Sequence, residues 1–360
     1  MFFQQPVKSV SRPSRAWAVA AALGVSVLGG GAWAQGATQE AGETLRESAD
    51  AAARDVAQAV SGEAGSLIPE GVAWGMVLDP SVIRQSPIVQ QTLAELPESR
   101  RELWTRRVDD FSQIVGLNLR RDLGRIVAFG SGFEPGSVAV AAELGPKQTN
   151  VEGLLLAGSQ YESYAHGDLL IHSVQEGQDR PRIYAAVLPA EAGRPGLLVA
   201  SPAAALTEGL ADQAVAGAAL SGPGALGERQ FLRMWVDQVP ADMLPENSRQ
   251  SNIAKMITTL ELIGSSGQQE TALELKLHTV NPARARMISQ MAAGFKAMIQ
   301  FAAAEDAEAQ KLSDLLAFVS ILQDKDSATV SIRGSVSSED VGAALDALSR
   351  TGLFKEMGLE

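Results

Sequence analysis

Ile126-Val127-Ala128-Phe129-Gly130-Ser131-Gly132-Phe133-Glu134-Pro135-Gly136-Ser137-Val138-Ala139-Val140-Ala141-Ala142-Glu143-Leu144 decides how this chain is built. Two apolar runs, 126–129 and 138–144, flank a stretch of glycine, serine and proline, which is the pattern of a β-hairpin. About 134 positions later the pattern returns, with runs 258–263 and 271–278 around Gly264-Ser265-Ser266-Gly267. A second pair of features keeps nearly the same offset. The run 197–200 leads into Ser201-Pro202 and a helical pattern, and 328–332 leads into Ser337-Ser338-Glu339 and another. Two matched pairs at one spacing predict an internal duplication.

Working outward, 72–78 reads as a strand carrying Trp74 and stopped by Asp79-Pro80, and 231–236 reads as its counterpart with Trp235 and a stop at Pro240. Helical spacing is expected over 88–96, 102–115, 151–157 and 251–256, and short strands near Tyr161 and over 169–174 and 183–188. The halves differ in the middle, where the second carries helices. Met287, Ile288, Met291, Phe295, Met298 and Ile299 fall on one face of a helix over about 282–304, and this methionine-rich face is expected to pack on the core. Leu312, Leu315, Leu316, Val319 and Leu322 suggest a second helix. Glu305-Asp306-Ala307-Glu308 between them has no Gly or Pro, so a turn and a continuous helix both fit.

The expected fold is α+β: two related mixed domains, each a largely antiparallel sheet with helices packed on one face. Residues 67–220 form the first domain, 221–229 the linker and 230–360 the second domain. The linker holds Gly222-Pro223-Gly224-Ala225-Leu226-Gly227, a literal G-x-G-x-x-G. A dinucleotide site needs a strand before that motif and a helix after it. Here an alanine-rich stretch precedes it, a strand follows, and Pro223 removes an amide donor.

The first 34 residues have the three parts of a signal peptide. Lys8, Arg12 and Arg15 precede any acidic residue, 16–28 is an apolar or small run, and Ala32-Trp33-Ala34 before Gln35 is an A-x-A cleavage signature. The run is shorter than the roughly 20 residues that span a bilayer core. Cleavage between Ala34 and Gln35 would release a periplasmic or extracellular protein with no further membrane span. Retention would instead make the segment an anchor. Residues 35–66 are rich in Ala and Glu with few large apolar groups, the composition of a flexible leader.

The whole chain has 30 basic and 42 acidic residues, a net charge of −12. Without the first 34 residues it has 27 basic residues against 42 acidic, a net charge of −15. That balance disfavours nucleic acid as a partner. The absence of cysteine excludes a lipid anchor at the cleavage site, disulfides, and thiol or cysteine-zinc chemistry.

Catalytic patterns are sparse. The three histidines, His166, His172 and His278, are far apart and form no metal-binding spacing. No serine sits in a G-x-S-x-G elbow. Ser251 and Lys255 are one residue too far apart for S-x-x-K, Asp109-Asp110 diverge on a helix, and Asp324-Lys325-Asp326 lacks the remaining ligands of a calcium loop.

Gly116-Leu117-Asn118-Leu119-Arg120-Arg121-Asp122-Leu123, followed by Ile126-Val127-Ala128, resembles a segment of exported bacterial tandem-domain proteins of unknown function. In that segment a helix ends on glycine, a turn carries aspartate, and a strand follows. The resemblance brings no catalytic residue. The expected function is therefore a non-enzymatic binding or envelope-associated structural protein with an unidentified protein or envelope partner. No cofactor or metal is expected. The alternatives are a secreted hydrolase whose active site follows no motif, and a carrier of an apolar ligand beside the Met287–Met298 face.

Overall fold

The computed structural model describes residues 66–350, apart from 97, 100, 104, 107–108, 110–120, 134, 146–147, 176, 178–180, 192–193, 221–224 and 238–248. The cleavage residues Ala32, Ala34 and Gln35, the leader, and most of the segment that carries the resemblance therefore lie outside the described residues.

The strands are β1 (Trp74–Leu78), β2 (Leu123–Gly130), β3 (Val138–Leu144), β4 (Glu162–His166), β5 (Leu169–Val174), β6 (Ile183–Leu188), β7 (Gly196–Ser201), β8 (Gln230–Asp237), β9 (Ile257–Ser266), β10 (Glu270–Thr279), β11 (Val319–Leu322) and β12 (Thr329–Ser337). They form one twelve-stranded sheet in the order β11-β12-β10-β9-β8-β1-β2-β3-β7-β6-β5-β4. Every pairing is antiparallel. With the helices this makes the chain α+β, as the hairpin patterns predict. The halves meet edge to edge where β1 pairs β8, with Trp74 opposite Val236 and Gly75 opposite Trp235. Both halves also order their strands alike, in that three consecutive strands are followed by one that returns beside the third.

The helices are α1 (Pro80–Gln85), α2 (Pro87–Glu95), α3 (Gln148–Leu156), α4 (Ala204–Val215), α5 (Arg249–Ala254), α6 (Pro282–Ala302), α7 (Ala307–Leu316) and α8 (Val341–Arg350). Their starts follow local chemistry. Asp79 accepts from Ser81 N, Ser86 from Val89 N and Asn281 from Arg284 N, each with proline just inside the helix.

In the first half helices cover both faces, more than the single covered face expected. Val127, Phe129, Ala139, Ala141, Val199 and Ala186 join Leu206, Leu210 and Ala214 of α4 in one core. Ile126, Ala128, Val140, Ala142, Ala185 and Leu198 join Val151 and Leu155 of α3 in another. The cause is the sequence of β2 and β3, apolar at nearly every position. A strand without polar alternation has two faces to bury.

In the second half α6 covers one face. Leu277 and Val330 pack with Ala285 and Ile288 of α6. The opposite face carries Arg233, Glu261, Glu274, Lys276 and Arg333, and on the same face Trp235, Ile263 and Ala272 are buried.

One expectation changes in this half, and one open alternative is decided. The run 312–322 is not one helix, since α7 ends at Leu316 and Val319–Leu322 is the edge strand β11 paired to β12. Backbone bonds from Ala317 to Ser313 and from Phe318 to Leu315 close the helix, and the branched Val319 and Ile321 suit the pleated edge. The polar stretch before α7 is a turn: Glu305 and Asp306 both donate to the carbonyl of Ala302, which ends α6.

Candidate interaction surface

The histidines are the natural starting point for chemistry, and the fold keeps them apart. His166 is the last residue of β4, before a two-residue turn at Gly167-Asp168, and its Nε2 lies 3.1 Å from both Asp212 oxygens on α4. Two residues back, Tyr164 donates to Glu208 at 2.6 Å. Burial and that carboxylate push the Tyr164 phenol well above its ordinary value. These contacts tie the exposed edge strand to α4.

His172 is buried, 3.1 Å from the Tyr161 hydroxyl at Nδ1 and 3.8 Å from Glu152 at Nε2. Burial pushes its pKa below the ordinary value, and the Glu152 carboxylate pulls part of the way back.

His278 comes nearest to a catalytic row. Its Nδ1 is 3.0 Å from Thr329 Oγ1 and its Nε2 is 3.8 Å from Glu261. The chemistry fails on two counts. Glu261 is held by Arg233 at 2.5 Å, which leaves it a poor partner for imidazolium. His278 and Thr329 are also directly opposed residues of paired strands, whose local amides serve the ladder and not an oxyanion. The row belongs to the cross-strand polar pairs of the sheet face away from α6. Among the described residues no group of three or more His, Asp or Glu side chains is placed to hold a metal ion.

The apolar side of the second half is different. Cross-strand register lays three rows on the face that α6 covers: Leu260-Leu277-Val330, then Leu262-Leu275-Ile332-Ile321, then Gly264-Leu273-Gly334-Val319. Burial decays along them. Leu277 is 8% exposed and Val330 fully buried, the middle row is half-buried, and Leu273 is 48% exposed. Both cross-strand neighbours of Leu273 are glycine; the Phe231 ring and Leu232 lie over Gly264, while Gly334 leaves the other flank without a side chain of its own. α6 packs over the first row through Ala285 and Ile288 and reaches the sheet edge where Lys296 Nζ donates to the carbonyl of Val319.

Beyond Ile288, α6 carries no buried residue. Met291 is 47% exposed, Phe295 59%, Met298 60% and Phe301 83%, with Leu312 of α7 at 48% beside them. The expected core face is thus split. Its N-terminal part is packed, and its larger C-terminal part is an open apolar ridge. Helical spacing identifies such a face but not how far the sheet beneath it extends. α6 is 21 residues long, about 31 Å, and outruns the sheet edge. Among the described residues no helix is long and apolar enough to cross a membrane.

No protein-family model matches the chain, and no curated protein matches it. Among solved structures, crystal form III of TP0453 aligns with a TM-score of 0.41 and 9% identity, over 79% of this chain and 96% of that one. Crystal form I of TP0453 aligns at 0.38 and 9% identity, over 78% of this chain and 96% of that one.

Proposed function

We propose that this is an exported, non-enzymatic protein of the periplasm or cell exterior that works by binding a partner, with the C-terminal half of α6 as its docking ridge. The observation that carries the reading is the row Met291, Phe295, Met298 and Phe301, each between 47% and 83% exposed. Solvated faces rarely gather aromatics and methionines in one line, whereas interaction surfaces enrich them. Export is supported by the charge, apolar run and A-x-A signature of residues 1–34.

The test is a photo-crosslinker at position 298 in cells, with N-terminal sequencing of the recovered chain. A discrete crosslinked product and a chain beginning at Gln35 are expected. A chain retained in the cytoplasm overturns the export reading. A hydrolytic activity of the purified protein that is lost on substituting His278 or Thr329 overturns the non-enzymatic one.

Leu273, exposed between Gly264 and Gly334, favours a second reading, a carrier of an apolar ligand seated on that row. Leu273→Trp would then exclude the ligand without unfolding the chain, read by loss of binding of an apolar fluorescent probe.

A further inference from the structure

We infer that the occupant of the α6 ridge is a second copy of this chain, with the two α6 helices packed antiparallel about a twofold axis between Gly294 and Phe295. This rests on reading the ridge as an interaction surface and names its partner.

The argument begins with Gly294. Glycine in the middle of a helix costs about 1 kcal/mol relative to alanine, and a structural reason is expected for it. Among the described residues of one copy there is none, since a Cβ built at Gly294 meets nothing of them within 4 Å. Its backbone is ordinary helix. What the glycine provides is a hole in the ridge.

The ridge supplies the matching knob. At about 100° per residue, Gly294, Met298, Met291 and Phe295 span an arc of about 100°, adjoining the buried positions Ala285 and Ile288. Gly294 and Phe295 stand on its two sides. Antiparallel pairing about an axis between them sets Phe295 of each copy over Gly294 of the other and Met291 opposite Met298. It also sets Arg284 opposite Glu305, which follows the end of α6. A twofold interface must be self-complementary in this manner, with every contact made twice.

Charge agrees with packing. α6 carries Arg284, Arg286 and Lys296 and no acidic residue, in a chain of net charge −12. The carboxylates nearest in sequence, Glu305 and Asp306, lie just past its C-terminal end, and the antiparallel arrangement brings that end against the basic N-terminal turn of the other copy. A parallel arrangement would set basic turn against basic turn.

Area is adequate. Met291, Phe295, Met298, Phe301 and Leu312 together expose on the order of 400–500 Å² of apolar side chain. A standard interface buries about 800 Å² per partner with a polar rim around an apolar centre, and the flanks of α6 and α7 supply such a rim.

The test is sedimentation equilibrium on the full chain as recovered from cells, over a range of concentrations. A monomer–dimer equilibrium is expected. Phe295→Glu and Gly294→Leu should each weaken it at least about tenfold. Gly294→Leu points into open space in one copy, so its thermal midpoint should stay at or above that of the parent. Arg284→Glu and Glu305→Arg should each weaken the dimer, and the double charge swap should restore it. A chain that stays monomeric at about 100 μM, above the usual range for specific interfaces, overturns the inference. So does a dimer indifferent to Gly294→Leu, or a ridge that instead binds phospholipid vesicles as a monomer. A different protein crosslinked at position 298 while the chain sediments as a monomer sinks the second copy and leaves the binding function standing. Loss of both crosslink and dimer sinks both.

Discussion

The first half of the sheet has an extensive apolar core on each face, and the second half has one small apolar cluster, under α6. α3 and α4 close two extensive cores around β2, β3, β6 and β7. Under α6 in the second half, the buried apolar cluster is Leu277, Ala285, Ile288 and Val330. The four strands nearest the seam share an order in both halves, so topology there does not cause the difference. The cause is side-chain pattern, because β2 and β3 are apolar on both faces while β9, β10 and β12 alternate with charged residues. A half packed on both faces has little left to offer a partner. The half with one thin core leaves α6 partly unpacked, and there the candidate surface lies.

The largest effect that would break this contrast is in the first core. Phe129 is fully buried between sheet and α4. Phe129→Ala should cost about 3–5 kcal/mol of unfolding free energy in chemical denaturation, as lost transfer energy plus a cavity. A loss below about 1 kcal/mol would mean that the first half is no better packed than the second.

The seam between halves comes next. Gly75 of β1 lies beneath the Trp235 ring of β8, and a Cβ there would overlap that ring. Gly75→Ala must push a core aromatic aside, and overpacking of this kind costs about 1–3 kcal/mol. It should also change the near-ultraviolet circular dichroism of the tryptophans, since the damaged contact is the one that joins β1 to β8.

Much of this architecture is legible in the sequence, and the failures share a cause. The hairpin of β2 and β3, its counterpart of β9 and β10, and the Trp74 and Trp235 strands follow from short-range pattern and turn residues. Pattern also marks the face of α6. It does not reveal that Val319 and Leu322, at helical spacing from Leu312, belong to a strand. β11 exists because β12 offers it an edge, and that partner is distant in sequence. Nor does spacing distinguish Ile288, which lies over Leu277, from Phe295, which faces solvent although the next residue, Lys296, meets the sheet edge. Burial is decided by what lies opposite, and in both cases that is a long-range fact.

A smaller effect marks the packed first half by pH. His172, in the first half, is buried and held below its ordinary pKa of 6.5. In the unfolded chain it titrates near the ordinary value. As pH falls through about 6.5 the unfolded state takes up a proton that the fold resists, so stability drops there and is unaffected above it. The thermal midpoint between pH 8 and 5 should therefore fall less steeply in His172→Gln than in the parent. Equal slopes in the two would remove burial of His172 as the cause. Glu152→Gln should steepen the fall, because the carboxylate that favours the proton is gone.

The smallest effect carries the sharpest sign. Glycine to alanine is one chemical change, and the two halves should answer it in opposite directions. At Gly75 the added methyl meets Trp235; at Gly294 it meets nothing within 4 Å. In a single copy, Gly294→Ala restricts the unfolded chain and supplies the best helix former, with no contact to disturb. The stability of the second half should rise by about 0.5–1 kcal/mol, read at protein concentrations low enough to keep the chain monomeric. If the midpoint falls instead, the open space at Gly294 is filled within one copy, and the glycine is a packing feature of the monomer. A rise shows that the fold itself gains nothing from a glycine there, and the reason for it must then be sought across the ridge, where Phe295 of a second copy would need the room.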